Sequence, residues 1–78
     1  MIIVNKYKDL VIETNTDNLL YYIRSDRTRN EYYIYIRKLD STQEVLLATY
    51  ADENKRDELF KELIDSLKQN KYYFEFPY

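Results

Sequence analysis

The sequence predicts an α+β fold: an antiparallel, strongly bent sheet or partial barrel of five to six strands, with one C-terminal amphipathic helix followed by a short strand. Up to Tyr50, short β-branched and aromatic runs alternate with polar turns, which is typical of antiparallel strands. Residues 52–69 change to the period of about 3.6 residues that an amphipathic helix requires. The length of 78 residues corresponds to a single domain, residues 1–78.

The predicted strands are separated by turns rich in Asn and Asp, which replace glycine at positive φ in a chain that has no Gly. The strands cover residues 2–4, 10–14, 19–24, 32–39, 44–50 and 71–76. Sequential antiparallel pairing, with a turn at 15–18, is the simplest topology. We expect the two apolar terminal segments to pair with each other or with a neighbouring strand. Pairing between two chains is the alternative, and it predicts a homodimer.

The helix predicted for residues 52–69 has one apolar stripe and suitable ends. Asp52 is a good N-cap, and Asn70 can adopt the left-handed conformation that ends a helix. The stripe consists of Leu59, Phe60, Leu63, Ile64 and Leu67. We expect it to pack on the inward strand positions, which are Ile3, Leu10, Ile12, Leu19, Tyr21, Ile23, Ile34, Ile36, Val45 and Leu47.

The composition excludes several kinds of site. Without Cys or His, the chain has no disulfide, no zinc site of the Cys and His type, and no Ser-His-Asp or Cys-His nucleophile. Without Gly, it has no glycine-rich phosphate loop. We therefore predict a protein that is not an enzyme and that uses no cofactor.

The carboxylates of the predicted helix leave one alternative, a small enzyme that uses acidic side chains and Mg²⁺. These carboxylates are Asp52, Glu53, Asp57, Glu58, Glu62 and Asp65. Lys55, Arg56 and Lys61 are interleaved with them, which favours a solvated helix face. We predict no metal site.

Hydropathy and charge predict a cytoplasmic protein with no membrane partner. No apolar run approaches the roughly 18 residues that a membrane span needs, and the first residues carry no basic leader. The net charge is −2, which indicates neither nucleic acid nor membrane as a partner. Residues 24–38 nevertheless carry five bases against two acids, a local charge of +3.

The strand predicted at 32–39 alternates aliphatic with aromatic and basic side chains, so one of its faces combines tyrosine with arginine. With the neighbouring strand and loop, the candidate binding residues are Tyr22, Arg24, Arg27, Arg29, Tyr33, Tyr35 and Arg37. Three interpretations remain open for this group. The face is buried with arginines at its rim, or it is a protein-binding hot spot, or it stacks the bases of a single-stranded nucleic acid.

Four segments together resemble a known family. These are the opening strand Ile2-Ile3-Val4-Asn5, the strand at 44–50, the acidic helix start Asp52-Glu53, and the Leu-Phe-x-x-Leu-Ile-x-x-Leu pattern of 59–67. They resemble small proteins of Gram-positive bacteria, phages and mobile elements that have a pleckstrin-homology-like barrel. The chain departs from that family by lacking glycine in its turns and by adding a strand after the helix.

The resemblance implies a binding scaffold without a catalytic site, and it carries no functional residue over to this chain. It also implies a phage or mobile-element accessory that inhibits or regulates a host protein. The resulting prediction is a non-catalytic protein-binding module with a protein partner, which also dimerises if the terminal strands pair between chains. The alternative is a single-stranded nucleic-acid-binding module that uses the tyrosine and arginine sheet face.

Overall fold

The computed structural model describes residues 1–14 and 18–78, so the turn predicted at 15–18 lies outside the described residues except for Asn18. The described chain contains the strands β1 (Ile2–Val4), β2 (Val11–Glu13), β3 (Leu19–Asp26), β4 (Glu31–Lys38), β5 (Val45–Tyr50) and β6 (Tyr73–Glu75), and the helix α1 (Glu53–Lys68). The predicted α+β class, with one C-terminal helix followed by a short strand, is confirmed.

The strands form two three-stranded sheets that do not close into a barrel. One sheet has the order β3-β4-β5, and both of its pairings are antiparallel between strands adjacent in sequence, as predicted. The other has the order β2-β1-β6, in which β1 and β2 are antiparallel. Sequential pairing therefore stops between β2 and β3.

The two terminal strands pair with each other inside the chain, which confirms the expected intrachain arrangement. Ile3 of β1 lies opposite Phe74 of β6, and the two strands run parallel. A parallel pair needs a long crossover connection, which the intervening strands and α1 supply. The side chains of Ile3 and Phe76 are both fully buried, so the chain ends contribute to the core.

The core lies on the inward face of the β3-β4-β5 sheet, where α1 packs against β4 and β5. The buried side chains are those of Ile3, Ile34, Ile36, Leu47, Ala48, Tyr50, Leu59, Leu63 and Phe76. Ile12, Leu19, Tyr21, Val45, Phe60 and Leu67 are partly buried against them. Most of the predicted core positions are thus confirmed.

Two predicted core positions are wrong. Leu10 is 37% exposed and Ile23 is 41% exposed. Leu10 lies in the turn between β1 and β2. Its main-chain oxygen accepts a hydrogen bond from the Asn5 N–H, and its own N–H donates to the side-chain oxygen of Asn5. Ile23 points to the inward side of β3, but β3 is an edge strand and α1 packs on β4 and β5, so the helix does not cover it.

A β-bulge in β5 changes which of its residues face the core. Ile34 lies opposite Ala48, whereas the next residue, Tyr35, lies opposite Leu46, so Leu47 is the extra residue. Leu47 and Ala48 are both fully buried, although they are consecutive. A strict two-residue alternation starting from Val45 would instead direct Ala48 and Tyr50 outward.

The helix has the predicted ends. The Asp52 side chain accepts hydrogen bonds from the main-chain N–H groups of Asn54 (2.8 Å) and Lys55 (3.4 Å). Asn70 follows the helix with φ of 55°, in the left-handed region. No helix in the part of the chain that the structure describes has the length and apolar character needed to cross a membrane.

The buried arginine Arg56 is the feature of α1 that the sequence did not predict. Its side chain is only 2% exposed, so the prediction that the interleaved bases belong to a solvated face is wrong at this position. Its Nη1 donates to the main-chain oxygen of Arg24 (2.7 Å), and its Nε donates to Asp57 (2.6 Å). Its guanidinium also lies 5.5 Å from the centre of the Tyr32 ring. Arg56 therefore connects the helix to the β3-β4 hairpin.

We expect Arg56→Ala to lower the free energy of unfolding by about 2–3 kcal/mol, because it removes buried packing and leaves the Arg24 carbonyl without its charged donor. Arg27→Ala is the matched control, since Arg27 binds the same Glu53 carboxylate but its side chain is 75% exposed. We expect a change below about 0.5 kcal/mol for the control. Urea unfolding at neutral pH measures both, and equal effects of the two substitutions would contradict this role for Arg56.

Candidate functional site

The outward face of the β3-β4 hairpin combines three tyrosines and two arginines in one cluster, which we call the tyrosine–arginine face. Its members are Tyr22, Arg24, Tyr33, Tyr35 and Arg37. In the cross-strand register, Tyr22 lies opposite Tyr35, and Arg24 lies opposite Tyr33. Because side chains alternate along a strand, these residues point away from the core face that Ile34 and Ile36 occupy. Each of the five is at least partly exposed to solvent.

The three tyrosine rings form a continuous row. The rings of Tyr22 and Tyr35 are stacked, with centroids 5.7 Å apart and planes inclined by 16°. The ring of Tyr33 is 5.8 Å from that of Tyr35 and tilted by 45°. Aromatic pairs at such distances contribute about 0.5–1.5 kcal/mol beyond their buried area. The row is therefore a pre-ordered aromatic surface.

The two guanidinium groups lie over these rings. The Cζ of Arg24 is 5.4 Å from the centroid of Tyr35 and 5.6 Å from that of Tyr22, and the Cζ of Arg37 is 6.0 Å from the Tyr22 centroid. The Nη1 of Arg37 also donates to the main-chain oxygen of Ser41 (2.9 Å), in the loop after β4. Cation–π contact and the loop hydrogen bond together hold the arginines in place.

Two glutamates complete the face, and sequence reasoning did not identify them. Glu44 accepts hydrogen bonds from the Tyr22 hydroxyl and from Arg24, whose Nη2 is 2.6 Å from the Glu44 Oε2. Glu31 accepts a hydrogen bond from the Tyr33 hydroxyl. Glu31 shares the two-residue alternation of Tyr33, so the strand pattern contained a signal for it. Glu44 precedes β5, and only the pairing of three strands brings it to the face.

The hydrogen bonds to the glutamates disfavour ionisation of the hydroxyl groups of Tyr22 and Tyr33. The hydrogen bond from Tyr33 to Glu31 raises the pKa of Tyr33 to about 12. Partial desolvation, and then the hydrogen bond to Glu44, raise the pKa of Tyr22. Each of these neutral hydroxyl groups donates its single hydrogen to its glutamate. The charges of Arg24 and Arg37 are balanced by those of Glu31 and Glu44, so the face is polar but neutral overall.

The other two candidate binding residues lie in the turn between β3 and β4, away from the aromatic row. Arg27 pairs with Glu53 at the start of α1, with its Nη2 3.0 Å from the Oε2. Arg29 is exposed, and its main-chain N–H donates to the main-chain oxygen of Asp26 (3.2 Å). Within residues 1–14 and 18–78, neither guanidinium lies over a ring of the face. The face thus contains five of the seven predicted residues.

The carboxylates of α1 do not converge. Asp65 pairs with Lys61 at 3.1 Å, and Asp57 pairs with Arg56. Among the described residues, no group of three or more acidic side chains is placed to hold a metal ion.

We expect Glu31→Gln to lower the pKa of Tyr33 from about 12 toward the ordinary value of 10.0, because the negative charge that disfavours the phenolate is removed. Since the pKa in the folded protein lies above the unfolded value, the associated stabilisation is complete below pH 10 and is lost as pH rises toward 12. Titration of the tyrosine ring resonances by NMR measures the shift. Glu58→Gln, on the outer side of α1, is the control, and an unchanged Tyr33 titration in Glu31→Gln would refute the assignment.

The chain was also compared with known proteins. No family model, curated protein or solved structure matches it. The resemblance to small proteins with a pleckstrin-homology-like barrel therefore stays a prediction. The function is inferred from the arrangement of the side chains described above.

Proposed function

We propose that this chain is a non-catalytic protein-binding module whose contact surface is the tyrosine–arginine face. The observation that supports this function is the row of three tyrosine rings under two guanidinium groups, on the side of the sheet opposite α1. Tyrosine and arginine are enriched among the residues that contribute most to protein interfaces. A hot spot of this composition needs a partner surface that offers apolar area and hydrogen-bond acceptors.

The order already present in the face favours tight binding. A side chain that is fixed before association loses less conformational entropy when the partner binds. Tyr22 and Tyr35 are held by stacking, and Arg37 is held by the loop after β4. The face can therefore present its rings and guanidinium groups with little rearrangement.

A single-stranded nucleic acid is the second candidate partner, and the stacked rings of Tyr22 and Tyr35 are the observation in its favour. The charges argue against it. Glu44 already neutralises Arg24, and Glu31 adds a second negative charge beside Tyr33. Since nucleic-acid affinity depends on several uncompensated phosphate contacts, we favour the protein partner.

The wider setting of this proposal follows from the resemblance described above. A small cytoplasmic accessory protein of a phage or mobile element acts by binding a host protein and thereby inhibiting or regulating it. Such a role needs a contact surface but no catalytic group. We propose this role for the chain.

We expect Tyr35→Ala and Arg24→Ala to weaken partner binding by about tenfold or more, because each removes a large contact group from the centre of the face. Affinity capture from the native host, with quantitative mass spectrometry, identifies proteins that bind the wild-type chain. The affinity of the purified partner for each variant is then measured by calorimetry. The matched controls are Tyr72→Ala, which removes a tyrosine that is 82% exposed elsewhere, and Arg27→Ala in the turn.

The thermal midpoint of each variant shows whether a loss of binding reflects a loss of folding. If both face variants bind the partner as tightly as the wild-type chain and the control variants do, the tyrosine–arginine face is not the contact surface. A salt titration distinguishes the two partner classes, since a nucleic-acid complex weakens steeply as ionic strength rises. A steep salt dependence with binding to single-stranded oligonucleotides would establish the second candidate instead.

A further inference from the structure

In the part of the chain that the structure describes, β3 forms an open edge of its sheet along all eight of its residues. The strands β2 and β6, which end the other sheet, have three residues each. Proteins usually protect a long edge with lysine, proline, a bulge or a covering element. β3 contains neither lysine nor proline, and its register with β4 is regular throughout. This edge is therefore suited to the addition of another strand.

The hydrogen-bond pattern shows which main-chain groups of β3 face the open edge. The N–H of Leu39 donates to the main-chain oxygen of Asn18 (2.8 Å), a pair that continues the register of β3 with β4. Because hydrogen-bonded and non-hydrogen-bonded pairs alternate in an antiparallel ladder, the even-numbered residues of β3 bond to β4. The odd-numbered residues, whose N–H and C=O groups point away from β4, are Leu19, Tyr21, Ile23 and Ser25. Among residues 1–14 and 18–78, no hydrogen bond uses these groups.

The inward side of the same edge has apolar surface that nothing in the described chain covers. Ile23 points to this side and is 41% exposed, because α1 packs on β4 and β5. Tyr21, on the same side, is only partly buried against the core. A strand that adds to β3 must therefore place apolar side chains beside these two residues.

A second copy of β3 meets this requirement when it runs antiparallel about a two-fold axis that passes through Tyr22. Tyr22 then lies opposite its own copy, and the hydrogen-bonded pairs are Leu19 with Ser25 and Tyr21 with Ile23, each formed twice across the axis. Every outward-directed N–H and C=O of β3 thereby gains a partner. A shift of the register by two residues in either direction would place Ser25 or Leu19 beyond the end of the other strand.

The side chains of the strand are compatible with their own copies in this register. Tyr21 with Ile23 is an aromatic and β-branched pair, which is favourable across strands. Arg24 is the one charged residue of 19–25, and it lies opposite Leu20. At about 3.3 Å per residue, the two Arg24 residues are roughly 13 Å apart along the strands, beyond the Debye length of about 8 Å. Each is also paired with its own Glu44 at 2.6 Å, so no like charges oppose the association.

We propose that two copies of this chain associate through β3, which joins their β3-β4-β5 sheets into one continuous antiparallel sheet. Main-chain hydrogen bonds and the burial of Ile23 stabilise the dimer. The Tyr22 rings of the two copies then lie next to each other, so the two tyrosine–arginine faces form one surface across the axis. The association needs no other protein, and its test is therefore separate from that of the proposed function.

Sedimentation equilibrium of the purified chain, from micromolar to millimolar concentration, tests the association. We expect the average mass to rise from 9.7 kDa toward twice that value. Ile23→Lys places a charge at the uncovered inward position and should raise the dissociation constant about tenfold or more. Val11→Lys is the matched control, since Val11 is 64% exposed on the edge strand β2, and it should associate as the wild-type chain does. The mass of a single chain at every concentration, or an equal or larger effect of Val11→Lys, would overturn the proposal.

A disulfide test fixes the register, because the chain contains no cysteine of its own. Tyr22→Cys places two thiols at a non-hydrogen-bonded pair with Cα atoms about 4.5 Å apart, within the range that a disulfide spans. Leu20→Cys, on the same face, places them roughly 13 Å apart. We expect oxidation to link Tyr22→Cys into a covalent dimer and to leave Leu20→Cys unlinked on a non-reducing gel. Equal yields from the two variants, with circular dichroism showing that both are folded, would contradict the proposed pairing.

Discussion

The packing of the α1 stripe against the inward face of β4 is the contact on which the rest of the structure depends. Leu59 and Leu63 belong to the same buried cluster as Ile34 and Ile36, and all four side chains are almost fully buried. Because β4 is the central strand of its sheet, its two-residue alternation gives it one face for the core and one for solvent. Covering the aliphatic face with the helix leaves Tyr33 and Tyr35 of the same strand directed outward.

Arg56 links this core to the candidate contact surface. Its guanidinium donates to the main-chain oxygen of Arg24, while the Arg24 side chain lies over the tyrosine rings. Burying an arginine is costly unless each of its donors finds a partner, and here two carboxylates, a carbonyl and a hydroxyl provide them. The position of the β3 strand relative to the helix is thereby specified by directional hydrogen bonds in addition to apolar packing.

The two sheets end in different ways. In the β3-β4-β5 sheet, the outward face is covered by its own side chains, whose rings, guanidinium groups and carboxylates satisfy one another. In the β2-β1-β6 sheet, β6 protects the edge of β1 and leaves its own edge beside α1. A small domain buries only about 60% of its surface, so exposed features of this kind are expected in it.

Local patterns in the sequence were sufficient to predict the class of the fold and the segments that form strands and helix. They also predicted that Tyr33, Tyr35 and Arg37 share one face of a strand. These features depend on residues close together in the chain, because side-chain periodicity is a property of the local backbone. The positive φ of Asn18, Asn30 and Asn70 was predictable for the same reason, since Asn tolerates that conformation.

The tertiary structure decided the features that need contacts between distant residues. The pairing of β1 with β6 joins segments about seventy residues apart, and the bulge at Leu47 changes the inward positions of β5 without any local signal. The burial of Arg56 and the arrival of Glu44 at Tyr22 likewise depend on how helix and strands are placed relative to one another. A charged residue in a helical pattern is ordinarily solvated, and only the position of its acceptors shows otherwise.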